Sequence, residues 1–257
     1  MRKAASLGAP PRSIAGVTRI GRFFFRYRDY LAPLGLILIL ASTRPRPLFA
    51  SERLDVWLDA AGMLIAVIGQ AIRVVVIGYA YIQRGGAKKQ LAASRLVCEG
   101  VYAHSRNPMY LGNLLLLTGL AIIYHSPIVY LVMLPVYILA ILAIIKSEEE
   151  FLRGKFGDEY EDYCRRVNRF LPRLQGLRST FAAMRFDWRR VVRKEYGTTF
   201  AWISVALALI AWAQLDWYGA QAARSVLITL GTVWCGVFAC YAVARWMKKT
   251  HRLASSD

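Results

Sequence analysis

Between Gly100 and Asn113 the chain reads GVYAHSRNPMYLGN and then runs straight into the apolar stretch LLLLTGLAII. His104, Arg106 and Asn107 therefore stand at the lip of a segment suited to a membrane. Polar groups are expensive at that depth and, where they occur, they commonly bind something. Pro108 disfavours helical geometry at Asn107 and suits the first turn of a helix, so a helix is predicted to start at about Pro108. Its unbonded amides and positive dipole end would face His104, Arg106 and any anion or lone pair held there. Tyr110 and Gly112 follow, the glycine allowing close approach of a ligand or a neighbouring helix. A second polar group closes another apolar run, in IIKSEEEFLRGKFGDEYEDYCRRVNRFLP. Acids at a helix C-terminus oppose the dipole, so Glu148, Glu149 and Glu150 call for a helix that continues or for a cationic partner. A third pair, Gln70 and Arg73, shares one helix face. A charge there costs roughly 2.5–3.5 kcal/mol in hydrocarbon, so Arg73 either points into a bundle or snorkels to the interface.

The elements that position these groups follow from composition. Of 257 residues, 56% are hydrophobic, with a formal net charge of +18 and a mean hydropathy of +0.35. Apolar blocks of this length define a polytopic all-α membrane bundle. The basic residues flank those blocks and form no basic–aromatic groove, so no nucleic-acid partner is expected. Predicted spans are Tyr30–Ser42, Val56–Ile82, Met109–Tyr124, Ile128–Ile145, Thr198–Leu215 and Ser225–Met247, about six in all. The loops around Arg84–Arg106, after the fourth span and at the RWMKKTHR tail are basic, whereas the third-to-fourth and fifth-to-sixth turns are nearly free of Lys and Arg. That alternation places both termini and the Gly100–Asn113 stretch in the cytoplasm, in a bacterial inner membrane. The TRPRP turn fits least well. Met1–Arg28 reads as a cytoplasmic basic arm, with a mitochondrial-type presequence as the alternative. In FAAMRFDWRRVVRKEYG, Phe181, Met184, Trp188 and Val191 recur at helical spacing, which suits a cytoplasmic interfacial helix. The domains expected are 1–55 (arm and first helix), 56–175 (core), 176–196 (interfacial helix) and 197–257 (last helix pair and tail). Cys98, Cys164, Cys235 and Cys240 are dispersed, so neither disulfide nor metal is expected.

LVCEGVYAHSRNPMYLGN followed by EEEFLRGKFGDEYEDYCRRVNRFLP resembles the isoprenylcysteine carboxyl methyltransferase family and its integral-membrane phospholipid methyltransferase relatives. The matching positions are Gly100, Tyr102, Arg106, Asn107, Pro108, Tyr110, Gly112, Glu148, Glu149, Phe156, Gly157, Tyr160, Tyr163 and Pro172, and the resemblance covers about Gly69 to Pro172. It departs from the pattern where Asn107 replaces the commoner histidine and His104 replaces an aromatic residue. The resemblance implies an S-adenosylmethionine-dependent methyltransferase acting on a membrane lipid or lipidated acceptor. It implies a cofactor site of Tyr102, His104, Asn107, Pro108, Tyr110, Gly112, Glu148 and Glu149, with Arg106 and Glu149 catalytic. Glutamates can accept from the cofactor's ammonium and ribose hydroxyls, and Arg106 can grip a carboxylate through two N–H groups. A carboxylate acceptor is already ionised near pH 7, whereas an amine or thiol needs a base, for which His104 is the candidate. Two other classes remain open: a nicotinamide-dependent lipid reductase with RGGAKK on a phosphate, and a non-catalytic membrane scaffold. The acceptor and the oligomeric state are not legible.

Overall fold

The computed structural model describes residues 12–47, 52–79 and 95–253. Among the described residues there are eight α-helices: α1 (Arg12–Ser42), α2 (Glu52–Tyr79), α3 (Pro108–Ile123), α4 (Leu134–Phe156), α5 (Asp158–Arg166), α6 (Leu177–Ala182), α7 (Trp188–Ala222) and α8 (Arg224–Lys249). No strand occurs among the described residues, and the long apolar helices make the chain an all-α membrane bundle. The part of the basic arm before Arg12, the RGGAKK turn and the end of the second expected span at Ile82 lie outside the described residues.

Among the described residues, four helical stretches are long and apolar enough to cross a bilayer: Arg53–Tyr79, Val129–Phe156, Trp188–Ala222 and Arg224–Lys249. The third expected span, Met109–Tyr124, falls on α3 (Pro108–Ile123), which is apolar but shorter. Its 16 residues reach about 24 Å, against a hydrocarbon core of about 30 Å. The first expected span is the C-terminal part of α1, which runs back unbroken to Arg12. A π-helical segment, Val129–Met133, leads directly into α4. Pro135 lies just beyond it and has no N–H for the carbonyl one turn back, which is where a widened turn is tolerated.

α2 and α3 form the centre, and α1 packs on α4 while α8 packs on α7. The α2–α3 contact is a glycine seam. A Cβ added to Gly62 would lie 2.7 Å from the Gly119 carbonyl oxygen, and one added to Gly69 would lie 2.6 Å from that of Gly112. Glycines seven residues apart on both helices thus bring the two backbones together, the packing used where lipid supplies no hydrophobic drive. α7 joins this pair through Trp202, Ala206 and Leu209, packed with Ala66 and Ile123. α8 has no buried residue. Its Tyr241 stacks on Phe200 of α7, with Trp234 and Phe238 tilted against the same ring, and its outward face presents Val226, Ile228 and Val243, suited to hydrocarbon.

The segment expected as one interfacial helix over 176–196 is divided. Gly176 opens α6 at φ +78°, and α6 ends at Ala182. Asp187 then starts α7, its carboxylate accepting from the Arg190 amide at 2.9 Å. Beyond that cap the helix runs unbroken until Gly219, whose φ of +75° kinks it near its C-terminal end. Gly197 costs only about 1 kcal/mol in a helix interior, so the amphipathic turns continue into the span. The α6–α7 link also caps α2: the Asp187 amide donates to the Gly78 carbonyl at 2.9 Å. Phe181 stacks on Tyr79, ring centroids 4.7 Å apart.

Candidate active site

The start of α3 lies where the Gly100–Asn107 loop meets the chain leaving α5. Gly100–Ala103 forms a 3₁₀ turn, and the next residues pair with 168–173 almost as a short ribbon. The Arg106 amide donates to the Asn168 carbonyl (2.9 Å), the Asn107 amide to Arg169 (3.1 Å) and the Arg173 amide to His104 (2.9 Å). Asn107 Nδ2 also donates to the Arg169 carbonyl at 3.2 Å. Backbone pairing of this kind fixes where the Arg106 and Arg169 side chains leave the chain.

Both go to Glu149. Arg106 Nη2 donates to Glu149 Oε1 at 3.2 Å. Arg169 donates through Nε to Oε1 (3.0 Å) and through Nη2 to Oε2 (2.6 Å), a two-point fork. Arg106 Nη1 also donates to the Cys164 carbonyl at 3.1 Å. Its Nε is buried with no hydrogen-bond partner, as is Oε1 of Glu150. The neighbouring carboxylate, Glu148, accepts from the Tyr110 hydroxyl at 2.7 Å. Arg106, Tyr110, Glu148 and Glu149 are therefore brought together across α3 and α4.

Gly157, at φ +52°, makes the turn from α4 to α5 that a side chain would strain. α5 then presents Tyr160 and Tyr163 inward, packed with Val167, Leu96 and Leu152. Burial pushes the Tyr160 hydroxyl far above the usual tyrosine range, with the Glu149 carboxylate adding to it. Burial raises Tyr163 as well, and its neutral hydroxyl donates to the Tyr102 carbonyl at 2.8 Å. The hydrogen bond to Glu149 holds Arg169 above the ordinary arginine range.

The remaining expected residues serve the frame. His104 is buried, its Nδ1 2.6 Å from the Arg173 carbonyl and its Nε2 2.9 Å from Thr180 Oγ1. Both ring nitrogens are taken, leaving none for an acceptor proton. Pro108 is buried at the first position of α3. Gly112 faces α2: a Cβ there would meet Arg73 Cγ at 2.8 Å. Of the two uses expected for that glycine, the structure displays the neighbouring helix.

Arg73 turns into the bundle. Its Nε and Nη2 donate to Glu195 of α7 at 2.9 and 2.7 Å, Gln70 Nε2 donates to the same carboxylate at 3.1 Å, and Arg73 Nη1 donates to Asn113 Oδ1. Arg169 and Glu195 are the two residues that sequence reasoning missed. The acids of α4 already demanded a cation, and Arg169 is one of those in the RRVNRFLP stretch. Gln70 and Arg73 demanded an anion, but nothing in sequence singles out Glu195, over a hundred positions away.

The phospholipid methyltransferase family profile matches residues 58–159. The cobalt-zinc-cadmium resistance protein CzcN of Cupriavidus metallidurans is 30% identical over 166 residues, covering 64% of this chain and 73% of that protein. The nickel-cobalt-cadmium resistance protein NccN of Alcaligenes xylosoxydans is 30% identical over 49% of this chain and 56% of its own length. Rat protein-S-isoprenylcysteine O-methyltransferase is 32% identical over 48% of this chain and 44% of its own. The chain thus spans about half the length of several curated relatives. No solved structure matches it. An all-α membrane bundle with this motif set defines a class of membrane methyltransferase. The chain belongs to the isoprenylcysteine carboxyl methyltransferase and phospholipid methyltransferase family. Among the described residues no group of three or more His, Cys, Asp or Glu is arranged to hold a metal ion.

Proposed function

We propose that the protein transfers a methyl group from S-adenosylmethionine to a lipid-like or prenylated acceptor, at the junction of α3, α4 and the 168–173 segment. The observation that carries this reading is Arg106, engaged at two of its three nitrogens and open at the third. Its Nη2 and Nη1 are engaged, yet its Nε is buried without a partner. An orphaned guanidinium N–H beside the N-terminal amides of α3 suits a carboxylate. Glu148, and Glu150 with its unpartnered Oε1, supply the acceptor oxygens that an ammonium or ribose hydroxyl requires. The donor's amino-acid end carries both charges, so the residues present fit it.

Bound S-adenosylmethionine would supply the electrophilic methyl group on a sulfonium. The chain's own part is to hold, orient and exclude water. Arg169 and Arg106 hold Glu149 from two sides, which fixes the end of α4 against α3. Tyr160 and Tyr163 stay neutral and seal the floor of the site. With both His104 nitrogens committed, the site favours an acceptor that gives up no proton, such as a carboxylate. Opposite charges then merge in the transition state, which a dry site assists. The acceptor would enter from the bilayer, with the site and both termini facing the cytoplasm of a bacterial inner membrane.

Calorimetric titration of the purified full chain with S-adenosylhomocysteine tests this reading, with NADPH as comparison. Saturable binding of S-adenosylhomocysteine and none of NADPH is expected. A folded protein that binds NADPH instead would transfer the site to reductase chemistry, and one that binds neither would remove the methyl donor.

A further inference from the structure

α7 lies outside the residues matched by the family profile, 58–159, and makes none of the Arg106–Glu149 contacts. It nevertheless sends one carboxylate into the centre of the matched region. Glu195 is 4% exposed and accepts three hydrogen bonds, two from Arg73 and one from Gln70. Arg73 uses its last nitrogen on Asn113 of α3, and its Cγ lies against Gly112. Asn113 is one turn beyond Tyr110, whose hydroxyl holds Glu148 at 2.7 Å. A chain of polar contacts thus runs from α7 through α2 and α3 to α4, ending at a carboxylate of the proposed donor site.

An anchor for α7 needs no charge. The same helix is already packed against α2 and α3 by Trp202, Ala206 and Leu209, and a buried ion pair commonly holds no better than apolar residues of equal volume. A planar fork does something apolar packing does not: it fixes direction. Glu195 locks the Arg73 guanidinium, leaving Nη1 aimed at Asn113. That contact sets the rotation of α3, and with it the place of Tyr110, Met109 and their amides.

We propose that Glu195 is a positioning residue for the methyl-donor site, acting through Arg73 and Asn113 on the first turns of α3. The inference rests on the donor reading above. It gives the α7–α8 pair a part in the reaction: the family core is completed by a carboxylate from outside it. Glu195 touches neither donor nor acceptor.

The test compares wild type, Glu195→Gln and the double variant Arg73→Met/Glu195→Met as full chains in detergent, measuring Tm and the Kd for S-adenosylhomocysteine. Glu195→Gln leaves a buried guanidinium uncompensated, so both Tm and affinity fall. In the double variant no charge is stranded and Tm returns to near that of wild type. Its affinity stays weaker by about tenfold or more, because α3 has lost its register and small misplacements are costly. Recovery of wild-type affinity together with Tm would make the pair a structural pin and overturn the proposal. So would a Glu195→Gln variant that binds as tightly as wild type. A double variant that does not fold would also overturn it, since the charge would then be needed for the fold itself. Should wild type fail to bind S-adenosylhomocysteine, the donor reading falls first and this inference with it; binding unchanged in the variants sinks the positioning role alone.

Discussion

Helix α3 carries buried charge at both ends, about 24 Å apart, and the two ends are built to opposite plans. At the Pro108 end, Glu149 is shared by two arginines, and the Arg169 side chain is 46% exposed. Arg106 Nε still lacks a partner there. At the far end His125 is wholly buried. Its Nε2 lies 2.8 Å from Asp59 and its Nδ1 3.7 Å from Asp55, with the Trp217 ring edge-on at 5.3 Å. The turn after α1 closes over it: the Arg46 amide donates to the His125 carbonyl at 3.0 Å, and Trp217 Nε1 to that of Pro45 at 3.1 Å. Charge at membrane depth is common to both ends. Unused hydrogen-bonding capacity is common to both as well, since His125 Nδ1 also lacks a hydrogen-bond partner. What separates a site from a rivet is access, which the half-exposed Arg169 gives the Pro108 end and the wholly buried His125 ring lacks.

Breaking the accessible end should cost the most. Glu149→Gln removes the charge that two arginines share, and truncating one partner of a buried charged pair costs a few kcal/mol. A loss of about 100-fold in affinity for S-adenosylhomocysteine is expected, read by calorimetry on protein that still elutes as a folded species. Undiminished affinity would take Glu149 out of the site. Arg106→Lys keeps the charge but cannot serve Cys164, Glu149 and a ligand carboxylate at once, because an ammonium has no planar fork. Turnover per unit enzyme should fall by about tenfold, and normal turnover would refute the fork. Tyr110→Phe removes one hydrogen bond to Glu148, worth about 1 kcal/mol net, so a roughly fivefold weakening of donor binding is expected.

The Pro108 end was the more legible of the two in sequence, because its chemistry is local. Arg106-Asn107-Pro108 announces a helix start, and three acids after an apolar run announce a missing cation. Gln70 and Arg73 advertised a polar face through their spacing alone. Partners set by tertiary packing were not legible. Glu195 lies in a run of charges, VVRKEYG, where it looks like one more solvated residue. His104 looked like a base because histidine has the right pKa, yet the Arg173 carbonyl and Thr180 that occupy it come from the far side of α5. Helix ends failed for a related reason. Nothing between Trp188 and Thr198 breaks a helix, so the turns expected to lie apart from the fifth span extend it instead. At the sealed end, Asp59 and His125 stand 66 positions apart, and nothing local in the sequence joins them. Their pairing depends on α2 and α3 being antiparallel neighbours along the glycine seam.

The smallest effect on donor affinity should come from the sealed end, which makes it the sharpest check on the comparison. Asp59→Asn keeps an oxygen that can accept from His125 Nε2 but removes the charge facing a ring enclosed on every side. His125 also sits at φ +51°, a region that residues other than glycine seldom occupy. Its two aspartates and Trp217 help to hold it there. Losing one charge should destabilise the bundle by about 1–2 kcal/mol, a fall in Tm of about 3–6 °C at this chain length. The Kd for S-adenosylhomocysteine should not move, because no ligand group reaches that turn. A thermal melt and a titration on the same preparation read both quantities. If affinity fell while Tm held, the two ends would be coupled through α3, and the helix would transmit a change at His125 to Tyr110. The division between a working end and a structural end would then be wrong, even though every distance in it is right.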